Sequence, residues 1–124
     1  MSRHVVVLTT VGTPGQARSL SRALLSSRLA ACVSVLPVRS RYWWEGRLAS
    51  GRESLLVVKT RRALLPRLRE AVLRLHPYEV PEFLALGVLA GHKPYLSWID
   101  AETTPPETPK RGRRSGPRRL RSPR

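Results

Sequence analysis

The 124-residue sequence has a single cysteine and no long hydrophobic run. Cys32 cannot form a disulfide within the chain, which favours a reducing, cytoplasmic compartment. A helix that spans a bilayer needs about 20 apolar residues, so we expect no membrane insertion. The apolar run near the N-terminus, Val5–Leu8, is also too short for the core of a signal peptide.

Acidic residues are scarce, 8 against 23 Lys and Arg, and the formal net charge is +15. The final segment, residues 105–124, concentrates basic residues and proline and has almost nothing to bury. This composition predicts a globular domain over residues 1–104, followed by a disordered arginine- and proline-rich tail. The tail would attract polyanions, including nucleic acid, without sequence specificity.

Several catalytic and binding motifs are absent. The sequence contains no CxxC, HxxH or HExxH pattern, which excludes a closed zinc site built from such motifs. The turn Thr10–Gly15 has neither the lysine of a P-loop nor the spacing of a dinucleotide-binding loop. The same turn has no arginine and the chain has no asparagine, which argues against an acylphosphatase-type enzyme.

Hydrophobic patterning predicts four strands and three helices. The strands are expected at His4–Thr10, Cys32–Trp44 with an interruption at Pro37, Glu53–Thr60 and Phe83–Leu89. The helices are expected at Pro14–Leu29, Leu65–Leu75 and from Pro94 onwards. The order βαββαβ predicts an α+β, ferredoxin-like fold. It would have an antiparallel sheet with helices on one face, plus a short C-terminal helix.

Three of the predicted strands are apolar on both sides, at Val5–Leu8, Leu55–Val58 and Leu84–Leu89. A sheet covered by helices on one face only should alternate apolar and polar residues. The second face therefore needs a cover, and self-association is the simplest one. The aromatic run Tyr42-Trp43-Trp44 at a predicted hairpin end fits the same interpretation.

A few side chains are candidates for chemistry. His76 follows a helix and precedes Glu79 and Glu82; it could cap the helix through the last carbonyls or bind a metal ion. The two glutamates could equally form salt bridges. Cys32 is expected in the core as a small apolar residue. The other histidines, His4 and His92, are expected on the surface.

Five segments together resemble the CutA family of divalent-cation-tolerance proteins. They are Leu29-Ala30-Ala31-Cys32-Val33, Tyr42-Trp43-Trp44-Glu45-Gly46, Val58-Lys59-Thr60, His76-Pro77-Tyr78-Glu79-Val80-Pro81-Glu82 and Tyr95-Leu96-Ser97-Trp98. The resemblance implies a PII-like homotrimer that is linked to the response to metal ions and has no established enzymatic activity. It also places six residues at clefts between subunits: Trp44, Glu45, Lys59, Tyr78, Glu79 and Glu82.

The resemblance further implies a divalent cation as partner, with copper the first candidate. The bacterial copper site of the family uses a cysteine where this chain has Thr9, and two histidines where it has Leu75 and His76. Only His76 therefore remains as a metal ligand. An alternative function is a trimeric signalling or protein-anchoring scaffold, since vertebrate members are linked to anchoring of acetylcholinesterase. An RNA-binding sheet is less favoured, because the third strand has no stacking aromatic residue.

Overall fold

The computed structural model describes residues 2–105 of the chain. The strands are β1 (His4–Val11), β2 (Cys32–Trp44), β3 (Arg47–Arg61) and β4 (Leu84–Gly87). The helices are α1 (Pro14–Ser26), α2 (Leu65–Leu75) and α3 (Lys93–Glu102), and a 3-10 turn, Arg62–Leu64, precedes α2. The predicted tail lies outside the described residues except for Pro105. No helix within residues 2–105 is long and apolar enough to cross a membrane.

The four strands form one antiparallel sheet in the order β2-β3-β1-β4. This order and the element sequence confirm the predicted ferredoxin-like α+β fold. β3 lies in the middle and pairs with β1 over eight residues, for example Val7 with Val58. β4 is shorter than predicted, because only Leu84–Gly87 pair with β1.

The core lies between one face of the sheet and the helices α1 and α2. Alternate residues of β1 and β3 point into it, as strand geometry requires, while the helices contribute their apolar stripes. Its buried members are Val5, Val7, Val11, Ala17, Leu20, Leu24, Leu29, Ala30, Leu56, Val58, Leu64, Leu68, Ala71 and Val72.

Helix α1 ends at Ser26 rather than at the predicted Leu29. Arg28 adopts a left-handed backbone with φ 61°. Its amide donates to the Leu25 carbonyl, and the Leu29 amide donates to the Leu24 carbonyl. These two bonds form a Schellman motif, which usually has glycine where this chain has Arg28. The apolar spacing continues past the motif, which is why the pattern predicted a longer helix.

Strands β2 and β3 form a long hairpin that extends beyond the rest of the sheet. Its two-residue turn, Glu45-Gly46, has positive φ values of 50° and 78°, the geometry that suits the twist of a hairpin. β3 begins at Arg47, six residues before the predicted start at Glu53, because Arg47–Arg52 pair with β2 despite their weak strand propensity. Strand β2 runs through Pro37 without the predicted interruption, because β2 is an edge strand and a proline is tolerated there.

Helix α3 is attached to the sheet by polar contacts. His4 is 9% exposed and its Nε2 lies 2.8 Å from Asp100 Oδ1, so the expectation that His4 is a surface residue is wrong. Arg61 donates to the hydroxyl and carbonyl oxygens of Thr103. The side chain of His92, in contrast, is exposed as predicted.

The second face of the sheet carries an apolar surface. Leu84 and Leu86 are 55% and 49% exposed, and they pair with Leu8 and Val6 of β1. Val57 continues the surface on β3, opposite Leu8. We refer to these five side chains as the open face. Its composition confirms that β1, β3 and β4 are apolar on both sides.

Candidate functional site

The six residues that the family resemblance assigns to a cleft lie in three separate regions of one chain. Trp44 and Glu45 are exposed at the hairpin tip. Lys59 lies near the opposite end of β3, on the side of the open face. The third group, Tyr78, Glu79 and Glu82, follows α2; Glu82 is half-buried and the other two are exposed.

The hairpin tip and Lys59 are too far apart to form one cleft within a chain. Trp44 pairs with Arg47, which is twelve residues before Lys59 on β3. At about 3.3 Å per residue this separation is roughly 40 Å. A cleft that contains both Trp44 and Lys59 therefore requires residues from different chains.

His76 joins three parts of the structure through its imidazole. Its Nδ1 accepts the amide hydrogen of Tyr78 at 3.0 Å, which places the ring proton on Nε2. Nε2 then donates to the Thr10 carbonyl at the end of β1, at 2.8 Å. The ring also packs against Tyr78 with 4.9 Å between centroids. The side chain thus connects β1 to the loop after α2, instead of capping the last carbonyls of α2 as one interpretation expected.

Tyr78 lies over Gly12 and is hydrogen-bonded to the hairpin. Its hydroxyl donates to Glu53 Oε2 at 2.7 Å, and a Cβ added to Gly12 would lie 3.5 Å from the same hydroxyl. Burial first, and then the hydrogen bond to the Glu53 carboxylate, raise the pKa of Tyr78 to about 12. Glu53 is therefore a site residue that the sequence did not indicate, because only the β3 register brings it to Tyr78.

Lys59 forms a polar cluster beside the open face. Its Nζ donates to the Ser34 hydroxyl at 2.5 Å and lies 3.7 Å from Cys32 Sγ. Cys32 is only half-buried, so its expected place inside the core is wrong. The difference arises because Cys32 pairs with Lys59 and shares its side of the sheet, while the neighbouring Val33 packs against the core.

The side chains of the described residues do not form a donor set that fits a resident metal ion. Both ring nitrogens of His76 already have hydrogen-bond partners. Within residues 2–105, no group of three or more His, Cys, Asp and Glu side chains could hold a metal. Glu79 and Glu82 also form no ion pair within this range. Metal binding by His76 remains a prediction.

Comparison with known proteins gives one consistent result. A family model described as CutA1 divalent ion tolerance protein matches residues 5–102. The chain is 44% identical to a divalent-cation tolerance protein CutA of Thermus thermophilus over 99 residues, which are 79% of this chain and 96% of that protein. It is 41% identical to the chloroplastic protein CutA 1 of Oryza sativa over 100 residues, 80% of this chain and 56% of that one.

Solved structures agree in fold. The CutA of Synechococcus elongatus superposes with a TM-score of 0.81 at 34% identity, covering 84% of this chain and 93% of that one. A periplasmic divalent cation tolerance protein CutA from Archaeoglobus fulgidus gives 0.79 at 33% identity, covering 81% and 98%. With the family model matching most of its length and the same βαββαβ architecture, the chain belongs to the CutA1 divalent ion tolerance protein family.

Proposed function

We propose that this protein is a homotrimeric divalent-cation-tolerance protein that acts in the cytoplasm without enzymatic activity. Membership of the CutA1 family supports the role in cation tolerance. The open face supports the proposed self-association, and the number of three subunits comes from the family resemblance. The proposed cytoplasmic location rests on the lone cysteine. The names of the relatives point to more than one compartment, because they include a periplasmic and a chloroplastic protein.

The open face is the observation that carries the proposed assembly. Leu84 and Leu86 are about half exposed, and they continue across paired strands into Val6, Leu8 and Val57. A contiguous apolar surface of this kind marks a contact with another molecule. Exposed aromatic side chains at the hairpin tip, with Trp44 at 62%, extend the surface that a neighbour could bury.

The separation of the predicted cleft residues supports the same assembly. Because Trp44 and Lys59 lie roughly 40 Å apart on one chain, the hairpin of one copy would have to reach the sheet of another. Strand β3 continues for seven residues, 47–53, beyond its last pair with β1, so the hairpin projects by roughly 23 Å at about 3.3 Å per residue. A symmetric trimer would repeat this contact three times and close the assembly.

Light scattering after size-exclusion chromatography tests the assembly. At low micromolar concentration we expect about three times the 14.0 kDa chain mass. Leu86→Glu should lower the mass to that of one chain, because a carboxylate would have to be buried in the interface. Leu73→Glu is a matched control, since Leu73 is 41% exposed on α2, on the other side of the sheet. A monomeric wild type, or equal effects of both variants, would contradict the proposal.

A growth assay tests the function itself. A bacterial strain that lacks its own CutA would receive the wild-type chain or the Leu86→Glu variant and be challenged with Cu(II). We expect the wild type to restore growth and the variant to fail while remaining folded by circular dichroism. If the strain that receives the wild-type chain grows no better in Cu(II) than the strain that receives no chain, cation tolerance is not the function of this protein.

A further inference from the structure

Two arginines face each other on the projecting hairpin. Arg39 of β2 is the direct partner of Arg52 of β3 in the antiparallel register. Residues paired in this way have Cβ atoms about 5 Å apart, and like charges placed directly opposite each other destabilise a sheet. The fold therefore holds a repulsive pair that it does not need for packing, since both side chains are exposed.

No acidic side chain within the described part of the chain forms an ion pair with either arginine. Within residues 2–105 the two ion pairs are His4–Asp100 and Arg28–Glu102, and neither Arg39 nor Arg52 has a hydrogen-bond partner for its guanidinium. Glu53, the nearest acid along β3, instead accepts a hydrogen bond from the Tyr78 hydroxyl. Both guanidinium groups are thus available to an anion from outside the described chain.

The arginine pair borders a concave site. A cavity of about 450 Å³ lies where the hairpin leaves the sheet and passes the start of α1. Its lining residues are Gly12, Pro14, Pro37, Val38, Arg39, Arg52, Glu53 and Ser54. The first turn of α1 holds no acidic residue, and the one carboxylate in the lining, that of Glu53, accepts a hydrogen bond from Tyr78 rather than pairing with an arginine. The volume falls in the range of small-molecule sites and exceeds what a bare phosphate would fill.

We propose that Arg39 and Arg52 form a binding site for a small molecule that carries a phosphate group. The planar guanidinium fork donates two parallel hydrogen bonds to oxygens of such a group, and two forks would match a dianion in charge. The adjoining walls formed by Pro14, Pro37 and Val38 would contact the organic part of the molecule. The ligand would also relieve the repulsion between the two arginines. The site does not depend on the role in cation tolerance, but it rests on the proposed assembly leaving Arg39 and Arg52 of the projecting hairpin uncovered.

Isothermal titration calorimetry of the full chain tests the site, with phenyl phosphate and inorganic phosphate as probes at low ionic strength. We expect phenyl phosphate to bind more tightly than phosphate, because it also contacts the apolar walls. Arg39→Gln and Arg52→Gln should each weaken binding about tenfold or more, the loss expected from a charge-assisted hydrogen-bonded pair. Arg41→Gln is the matched control: it removes the same charge on the same strand, and it pairs with Ser50 outside the cavity.

Thermal unfolding gives a second measurement on the same variants. Without ligand, Arg52→Gln should melt slightly above the wild type, because it removes the like-charge repulsion. Phenyl phosphate should raise the melting temperature of the wild type and of Arg41→Gln, and leave that of Arg52→Gln unchanged.

Two results would overturn the proposal. Equal weakening in all three variants would show nonspecific attraction to a basic chain. Absence of phenyl phosphate binding to the wild type would overturn the proposal as well, and a lower mass of Arg39→Gln and Arg52→Gln in light scattering would then assign the pair to an acidic side chain of a second copy. Because mass and ligand binding are measured separately, loss of this site and loss of the proposed assembly are distinguishable.

Discussion

The imidazole of His76 and the carbonyl oxygen of Thr10 are joined by a 2.8 Å hydrogen bond across 66 residues of sequence. Thr10 lies near the end of β1, and His76 directly follows α2. The bond therefore fixes the end of a central strand to the loop that carries Tyr78. Because His76 is 8% exposed, water does not readily replace either partner.

Replacing His76 by alanine should destabilise the fold. The substitution leaves the Thr10 carbonyl and the Tyr78 amide without their partners, which costs about 1–3 kcal/mol of unfolding free energy. Urea denaturation followed by tryptophan fluorescence measures the change. His92→Ala is the control, because its side chain is exposed. Equal stability of the two variants would contradict a structural role for the His76 imidazole.

Copper binding through His76 should be weak. A metal ion must displace the hydrogen bond to Thr10 or that to Tyr78, and one imidazole without a preformed carboxylate set is a poor site. In a Cu(II) titration of the full chain we expect His76→Ala to abolish the binding and Cys32→Ser to leave it unchanged. Unaltered copper binding in His76→Ala would show that His76 is not a ligand. Loss of copper binding only in Cys32→Ser would show that the thiol is the ligand instead.

Thr9 and Thr60 should respond in opposite directions to substitution by valine. Both are fully buried, but the Thr9 hydroxyl has no hydrogen-bond partner within the described chain, whereas that of Thr60 donates to the Leu29 carbonyl at 2.7 Å. Thr9→Val removes a desolvated hydroxyl at nearly constant shape and should stabilise the fold by about 1 kcal/mol. Thr60→Val should destabilise it by a similar amount. Chemical denaturation of both variants measures the two changes in unfolding free energy. A lower stability of Thr9→Val would mean that the Thr9 hydroxyl has a hydrogen-bond partner.

Arg28 combines an unfavourable backbone with two useful contacts. Its φ is 61°, and its Nη1 donates to the carbonyl and carboxylate oxygens of Glu102. Arg28→Ala and Arg28→Gly both lose these contacts, but only glycine relieves the left-handed backbone, a difference of about 1 kcal/mol. We therefore expect the glycine variant to be the more stable of the two in thermal unfolding. Equal stability would show that the Schellman turn changes when the side chain is lost.

The raised pKa of Tyr78 predicts a stability loss in alkali. The unfolded chain loses the phenolic proton near the ordinary value of 10.0, while the folded chain keeps it up to about 12. Between these values the unfolded state binds fewer protons, so stability falls as pH rises and is unaffected by this group below pH 10.

Tyr78→Phe should flatten this part of the pH profile. The variant has no phenolic proton, so its stability should decline less than that of the wild type between pH 10 and 12. At neutral pH it should be less stable than the wild type, because it lacks the hydrogen bond to Glu53. Tyr42→Phe is the control for tyrosine ionisation in general, because Tyr42 is 44% exposed and its charge is the smallest of the contributions that raise the pKa of Tyr78. Parallel profiles for Tyr78→Phe and the wild type would contradict the raised pKa.

The order of the elements and the fold class followed from the sequence by itself. Strand and helix periodicities differ, Glu45-Gly46 suits a tight hairpin turn, and Pro66 fits only the first turn of α2. These signals are local, so they can be recognised without knowing which residues are neighbours in the folded structure. The apolar character of both sheet faces was likewise visible in the residues of β1, β3 and β4.

The ends of the elements and the partners of the polar side chains were decided by the tertiary structure. β3 extends to Arg47 because β2 offers hydrogen bonds there, and α1 stops early because Arg28 enters the left-handed region. The bond between His76 and Thr10, and the Arg39–Arg52 pair, depend on strand register and on how α2 packs. A sequence pattern specifies which face a residue occupies, but a contact between distant residues depends on the relative placement of whole elements, which packing of the core determines.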